Sequence, residues 1–268
     1  MTMKERVSQM DLVYPTVIKA ARVWFKLGDL RIDMTGAENI PATGGALLAV
    51  NHLSYVDYIM AGLPGADRGR LTRFIAKKEV FDHPVGGPVM RSFHHLPIDR
   101  ADGEAGMRLA ADTLRAGELV GIFPEATLSR SFQIKEVKTG AVRIAAEAQV
   151  PLIPVVLWGT QRFLTKGQKA DFSRHKTISI DVGEPMHPTG EDAAAETAEL
   201  KLRMETMLDG LIRRYPAEEQ PPGSWWLPKS YGGTAPTLEE AAEMYAEERR
   251  LREERKAAGG SKKGRKRS

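Results

Sequence analysis

Short apolar runs that stop abruptly at polar clusters recur along this chain. The clearest is Gly45-Ala46-Leu47-Leu48-Ala49-Val50, followed at once by Asn51-His52-Leu53-Ser54-Tyr55-Val56-Asp57. A run this short cannot be a helix of its own; it reads as a buried strand and the turn at its carboxyl end. Residues 71–76, 93–98, 118–123 and 150–157 have the same character, and 30–34 and 176–182 alternate as two further strands. Pro151 and Pro154 in the 150–157 run predict a sheet edge or a strand start. Helical spacing covers 104–116, 138–149 and 191–214, the last with Leu200, Met204, Met207, Leu208 and Leu211 on one side. A helix after Asp57 is expected to run to about Leu63 and end at Pro64-Gly65. Pro84, Gly86, Gly87 and Pro88 predict an irregular segment. Strands alternating with helices indicate an α/β domain, with a mostly parallel or mixed central sheet flanked by helices.

Both ends depart from this pattern. Residues 11–28 read as a helix with Asp11 as cap, Pro15 in the first turn and Gly28 as stop. Val13, Val17, Ala20, Ala21, Trp24 and Phe25 form one side, and Lys19, Arg22 and Lys26 the other. That pattern suits a helix lying in a membrane interface, and equally one packed on its own domain. After Tyr215 the chain turns rich in Pro, Gly and Glu, and Trp225-Trp226-Leu227-Pro228 is expected to anchor this extension or dip into an interface. A charged helix is expected over 237–256, and a disordered basic tail from Gly259. The resulting division is 1–29, an amphipathic helix; 30–215, the main domain; 216–258, the extension; and 259–268, the tail.

Composition adds little until the charge is divided. The net charge is +4, but residues 249–268 hold ten Lys or Arg against two Glu, leaving the rest of the chain acidic. Such a tail attracts anionic lipid by about 1 kcal/mol per basic residue, and would attract nucleic acid too; a solvated tail with no partner is the plainest alternative. The absence of cysteine excludes disulfides and thiolate metal sites. The six histidines show no ligand spacing, so no metal is expected. No apolar window approaches 18 residues and no secretory h-region is present, so no conventional transmembrane helix or signal peptide is expected.

The polar clusters carry the candidate chemistry. His52 and Asp57, five apart, would lie about 140° apart on a regular helix. To meet, His52 must sit in the turn and Asp57 in the helix that follows, with Asn51 or Ser54 as cap. A carboxylate on one ring nitrogen fixes the tautomer and leaves the other basic, as a general base requires. A capped turn holding a satisfied histidine fits the same residues. Arg100, at the end of the 93–98 run, suits a phosphate or a surface pairing with Asp99 or Asp102. A third cluster, Pro124-Glu125-Ala126-Thr127-Leu128-Ser129-Arg130-Ser131, follows the 118–123 run.

Taken together, these pieces resemble the glycerolipid acyltransferase family, which contains the 1-acylglycerol-3-phosphate acyltransferases. Asn51, His52 and Asp57 match its first motif, and Ile98-Asp99-Arg100 its second. The third appears as Phe123-Pro124-Glu125-Ala126-Thr127-Leu128-Ser129 and the fourth as Val150-Pro151-Leu152-Ile153-Pro154-Val155. Ala76-Lys77-Lys78-Glu79 and Lys138-Thr139-Gly140 also match, so the resemblance spans about residues 30–185. In two places the chain departs from the family: Ala126 stands for the usual glycine, and Leu128 for an arginine linked to the substrate phosphate.

The resemblance implies transfer of a fatty acyl group from acyl-CoA or acyl carrier protein to a hydroxyl of lysophosphatidic acid. His52 would be the base and Asp57 its orienter, with no cofactor beyond the acyl donor. Lys78, Arg100 and Arg130 become candidate phosphate ligands, Glu125 a residue that holds the acceptor or braces the turn, Thr127 a candidate substrate contact, and backbone N–H groups of 124–130 or of a helix start candidate oxyanion donors. It also favours the interfacial reading of 11–28, a peripheral enzyme on the cytoplasmic face of the membrane, held partly by anionic lipid. Three other readings compete: the same transfer onto another lysophospholipid or glycolipid; a Ser54–His52–Asp57 hydrolase, for which no Gly-x-Ser-x-Gly elbow exists; and an inactive membrane-surface or nucleic-acid-binding protein using the basic tail.

Overall fold

The structure, a computed structural model, describes residues 13–84, 86–99 and 102–264. Asp11 and Arg100 lie outside them. Seven strands form one sheet: β1 Arg31–Thr35, β2 Ala46–Val50, β3 Thr72–Lys77, β4 Leu96–Ile98, β5 Leu119–Ile122, β6 Leu152–Trp158 and β7 Thr177–Val182. Their order is β1-β7-β6-β2-β5-β3-β4. Every neighbouring pair is parallel except β6 and β7. The sheet is therefore mixed, with β1 and β7 running against the other five.

The pleat of β2 divides the core. Leu47 and Ala49 point into one apolar cluster, Ala46, Leu48 and Val50 into the other, and all five are fully buried. The first cluster is closed by α6 Gly103–Arg115, α7 Gly140–Ala148 and α8 Ala193–Arg214, the second by α1 Val13–Leu27, α2 Asp57–Met60 and α3 Leu63–Asp67. Asp102 and Asp192 cap α6 and α8, their side chains accepting from Ala105 N and Ala195 N.

Several expectations are corrected. Of the two readings of the β6 prolines, the strand start holds for Pro151, just before Leu152, but β6 is not an edge: the donor that Pro154 lacks falls on the β7 side, where its carbonyl accepts from Gly183 N at 2.8 Å. The single helix to Leu63 is two short ones, because Pro64 falls in the first turn of α3, where its missing N–H is harmless. A short helix, α4 Lys78–Phe81, precedes the stretch predicted to be irregular, and that stretch opens α5 Gly86–Ser92, with Pro88 again in a first turn. Only Leu96–Ile98 of the 93–98 run is strand. Past Tyr215 the chain folds back, and Trp226, Leu227 and Ala235 join the cluster under α8. The charged helix, α9 Leu238–Gly264, runs through the start of the segment expected to be disordered. Among the described residues no helix is long and apolar enough to cross a membrane.

Candidate active site

At the end of β2 a side chain continues the ladder. Asn51 Oδ1 accepts from Leu157 N at 2.7 Å and its Nδ2 donates to Leu157 O at 3.0 Å, so the amide takes the place of one strand residue against β6. This pins the following turn to the carboxyl edge of the sheet.

Within that turn His52 Nδ1 lies 3.0 Å from Asp57 Oδ2. Asp57 opens α2, and its Oδ2 also accepts from Leu53 N at 2.6 Å and Ser54 N at 2.7 Å. The carboxylate thus organises the turn itself, and the expected caps do other work. Asn51 is engaged with β6, and Ser54 Oγ donates to Leu164 O at 2.7 Å. Because a carboxylate can only accept, Nδ1 carries the hydrogen and Nε2 keeps its lone pair. Asp57 is wholly buried, whereas 11% of the His52 side chain remains exposed. The imidazole stacks on Phe123 at 4.1 Å and meets the edge of Tyr58 at 5.8 Å. Burial, and then the charge of Asp57, push the Tyr58 hydroxyl up to about 12, so it stays neutral beside the pair. Phe123 in turn stacks on Phe74. Gly121 permits that stack, since a Cβ there would lie 2.4 Å from the Phe74 ring.

The loop after β5 forms the other wall. Glu125 is buried, with Oε1 accepting from His52 N at 3.0 Å and Oε2 from Lys135 N at 3.3 Å. Burial pushes its carboxyl up to about 7, against the pull of these N–H groups and of the Lys135 charge. Both oxygens therefore face backbone, and Glu125 braces the His52 turn. Ala126, at the usual glycine position, has φ 60°. Thr127 Oγ1 is bonded by the Lys135 ammonium. Leu128 is buried. Ser129 N donates to His52 O at 2.7 Å.

The remaining candidates lie apart. Arg130 pairs with Glu248 of α9, and its N–H donates to the Tyr245 hydroxyl at 2.7 Å. Lys78 pairs with Asp99 at 3.4 Å on the rim of a groove of about 870 Å³, lined also by Phe81, His95 and Leu96. The structure thus brings His52, Asp57 and Glu125 together and sets Thr127 and Arg130 on the adjoining loop. Lys135, Tyr245 and Glu248 join this loop without standing out in the sequence. Lys135 carried no signal beyond its charge, and the other two reach the loop from more than a hundred residues away.

A family model described as Acyltransferase matches residues 31–158. The chain is similar to the 1-acyl-sn-glycerol-3-phosphate acyltransferase of Bacillus subtilis, 33% identical over 194 residues, covering 67% of this chain and 91% of that one. It is 27% identical over 177 residues to a chloroplastic 1-acyl-sn-glycerol-3-phosphate acyltransferase of Arabidopsis thaliana, covering 64% of this chain and 48% of that longer relative. The crystal structure of the 1-acyl-sn-glycerophosphate acyltransferase PlsC from Thermotoga maritima superposes with a TM-score of 0.65 at 24% identity, covering 80% of this chain and 86% of that one. At that identity the likeness speaks for the fold.

Proposed function

Because the chain belongs to the acyltransferase family, whose members include the 1-acyl-sn-glycerol-3-phosphate acyltransferases, we propose that it acylates the free hydroxyl of lysophosphatidic acid from an acyl thioester of CoA or acyl carrier protein. The observation that carries the mechanism is the His52 Nδ1–Asp57 Oδ2 contact of 3.0 Å, between a ring that keeps 11% of its side-chain surface exposed and a carboxylate that keeps none. His52 Nε2 takes the hydroxyl proton as the oxygen attacks the thioester carbonyl. The C–S bond then breaks, and the departing thiolate receives the proton from the imidazolium. Positioned base catalysis of this kind contributes about 10²–10⁴-fold. The thioester is already activated, so the reading uses no cofactor. In the turn after β5, Ala126 N, Ser129 N and Arg130 N are engaged by Phe123 O, His52 O and the Tyr245 hydroxyl. An oxyanion donor from that turn then comes from Glu125, Thr127 or Leu128.

Attachment to a bilayer, on its cytoplasmic face, belongs to the same reading. Ala21 and Phe25 of α1 are buried in the domain, but Val17, Val23 and Leu27 are 38%, 57% and 70% exposed beside Lys19, Arg22 and Lys26. An apolar arc wider than its own domain covers, edged by cations, suits an anionic lipid interface. The burial of Leu128 favours a second acceptor reading, another lysophospholipid or a glycolipid, because a leucine cannot bind an anion.

The test offers palmitoyl- and oleoyl-CoA with a panel of lysolipids to the purified protein and to His52→Ala. Acyl transfer that is lost in a folded His52→Ala supports the reading; undiminished turnover refutes the base assignment.

A further inference from the structure

The last helix reaches back to the loop that borders the dyad. Tyr245 accepts from Arg130 N and donates to Leu128 O, both at 2.7 Å. One turn on, the Glu248 carboxylate bridges two cations, one oxygen on the Arg130 guanidinium and the other on the Lys166 ammonium. Both cations adjoin the catalytic turn. Ser129 N holds the carbonyl of His52 and Thr165 Oγ1 holds that of Leu53, each at 2.7 Å, and the next residues are Arg130 and Lys166.

We propose that Glu248 is an internal stand-in for a phosphate monoester: it occupies the Arg130–Lys166 pair until the phosphate of the acceptor displaces it, so α9 sets the affinity for that substrate. The inference rests on the acyl-transfer reading.

Charge supports the exchange. A single carboxylate faces two cations. A phosphate monoester brings about −1.5 to −2 at neutral pH and three acceptor oxygens, which matches the pair better. Arg130 is also unsaturated, because its Nε is buried with no hydrogen-bond partner. Leu128 is buried and offers nothing to an anion, so Arg130 is the cation of the 124–131 cluster, and Glu248 covers it. The helix is lightly held as well. Between 241 and 254 Ala241 is buried, Tyr245 and Glu248 are half-buried, and the rest is exposed. Partly exposed ion pairs contribute little, so a better anion can replace one of them. Beyond Glu248 the exposed Arg249, Arg250 and Arg252 give a lifted helix a second place to rest, on anionic lipid.

The experiment compares the full-length protein with Glu248→Gln and Glu248→Asp. It measures KM for lysophosphatidic acid and for palmitoyl-CoA in mixed micelles, and hydrogen exchange over 238–254 with and without sn-glycerol 3-phosphate. Glu248→Gln is expected to lower the KM for lysophosphatidic acid by about three- to tenfold, with a smaller effect on kcat and with Glu248→Asp near the parent. Exchange over 241–251 rises in the parent when sn-glycerol 3-phosphate is added, and is already raised in Glu248→Gln. A KM that is unchanged or higher overturns the proposal, since Glu248 then orients Arg130 instead of masking it. A fall confined to palmitoyl-CoA also overturns it, because the site then serves the phosphate of the donor. The exchange arm needs no turnover: if the parent acylates no lysolipid, the acyl-transfer reading fails, while phosphate-dependent release of α9 still upholds the exchange of anions and unchanged protection overturns it.

Discussion

Asp57→Asn separates charge from shape in the His52–Asp57 turn. Oδ2 of Asp57 accepts from His52 Nδ1, Leu53 N and Ser54 N, while Oδ1 is buried without a hydrogen-bond partner. An asparagine with its carbonyl oxygen in the Oδ2 place keeps all three acceptances at nearly the same volume. What disappears is the negative charge facing the imidazolium that, in the proposed mechanism, forms as His52 takes the proton. A unit-charge pair about 4 Å apart is worth about 4 kcal/mol at an effective dielectric constant of about 20. With the proton about half transferred, about 2 kcal/mol of that is felt at the transition state, or about 30-fold in rate. Asparagine also leaves a buried amide donor unpaired and lets the imidazole choose the wrong tautomer, so the full loss is about 10²–10³-fold in kcat. The KM values should move by less than about threefold, because the interaction is made in the transition state alone. Thiol release from palmitoyl-CoA at saturating acceptor gives kcat, and a thermal melt shows that the fold survives. A folded Asp57→Asn with kcat within about threefold of the parent would refute the assignment of Asp57 as the partner charge.

Three further outcomes follow from the same geometry. Asn51→Ala strands the buried N–H and C=O of Leu157 and should cost about 2–4 kcal/mol in chemical denaturation; a loss below about 0.5 kcal/mol contradicts the ladder role. Ala126→Gly relieves a left-handed backbone at φ 60° and should raise stability by about 0.5–1 kcal/mol, read as a melting temperature up by about 2 °C; a lower one refutes the strain. Glu125 ionises at about 7 in the fold against about 4.3 when unfolded, so its contribution is intact below about pH 4 and is lost as pH rises through 7. Glu125→Gln should therefore lose less stability than the parent between pH 5 and 8, and equal slopes in the two melts would refute the buried titration.

Much of the dyad could be read from the sequence because its parts are local. A five-residue spacing across a strand–turn–helix junction admits one way for His52 and Asp57 to meet, and the structure adopts it. An α/β domain with a mostly parallel or mixed sheet was equally legible from apolar runs alternating with helical spacing; the antiparallel β6–β7 pair that makes the sheet mixed was not. The errors came from residues whose meaning depends on what lies beside them. Pro154 suggested an edge because its missing donor is a liability in a central strand, yet that donor position falls where β7 has already ended. Pro64 and Pro88 suggested breaks, but a proline within a first turn lacks only an N–H that the helix does not use. For Glu125 the motif leaves two roles open, holding the acceptor or bracing the turn, and the fold turns both its oxygens to backbone, as the second requires. The contacts of Tyr245 and Glu248 with Arg130 bridge 115 and 118 positions of chain, and no periodicity reports a pairing of that kind.

The reversed direction of β1 and β7 has a geometric outcome. Arg31 begins β1 opposite Thr177, at the end of the sheet where β6 finishes with Trp158 against Ser179 and where β2 delivers His52. The helix that feeds β1 therefore docks at this same pole, with the Trp24 ring 5.7 Å from Phe163 and 6.0 Å from Phe172. Had β1 run with the majority, α1 would lie at the far pole, a full strand length away. On the proposed reading, an α1 seated in lipid would hold the His52 turn at the water–oil boundary, where a greasy acceptor would be found by sliding in the plane of the leaflet, its tail never extracted.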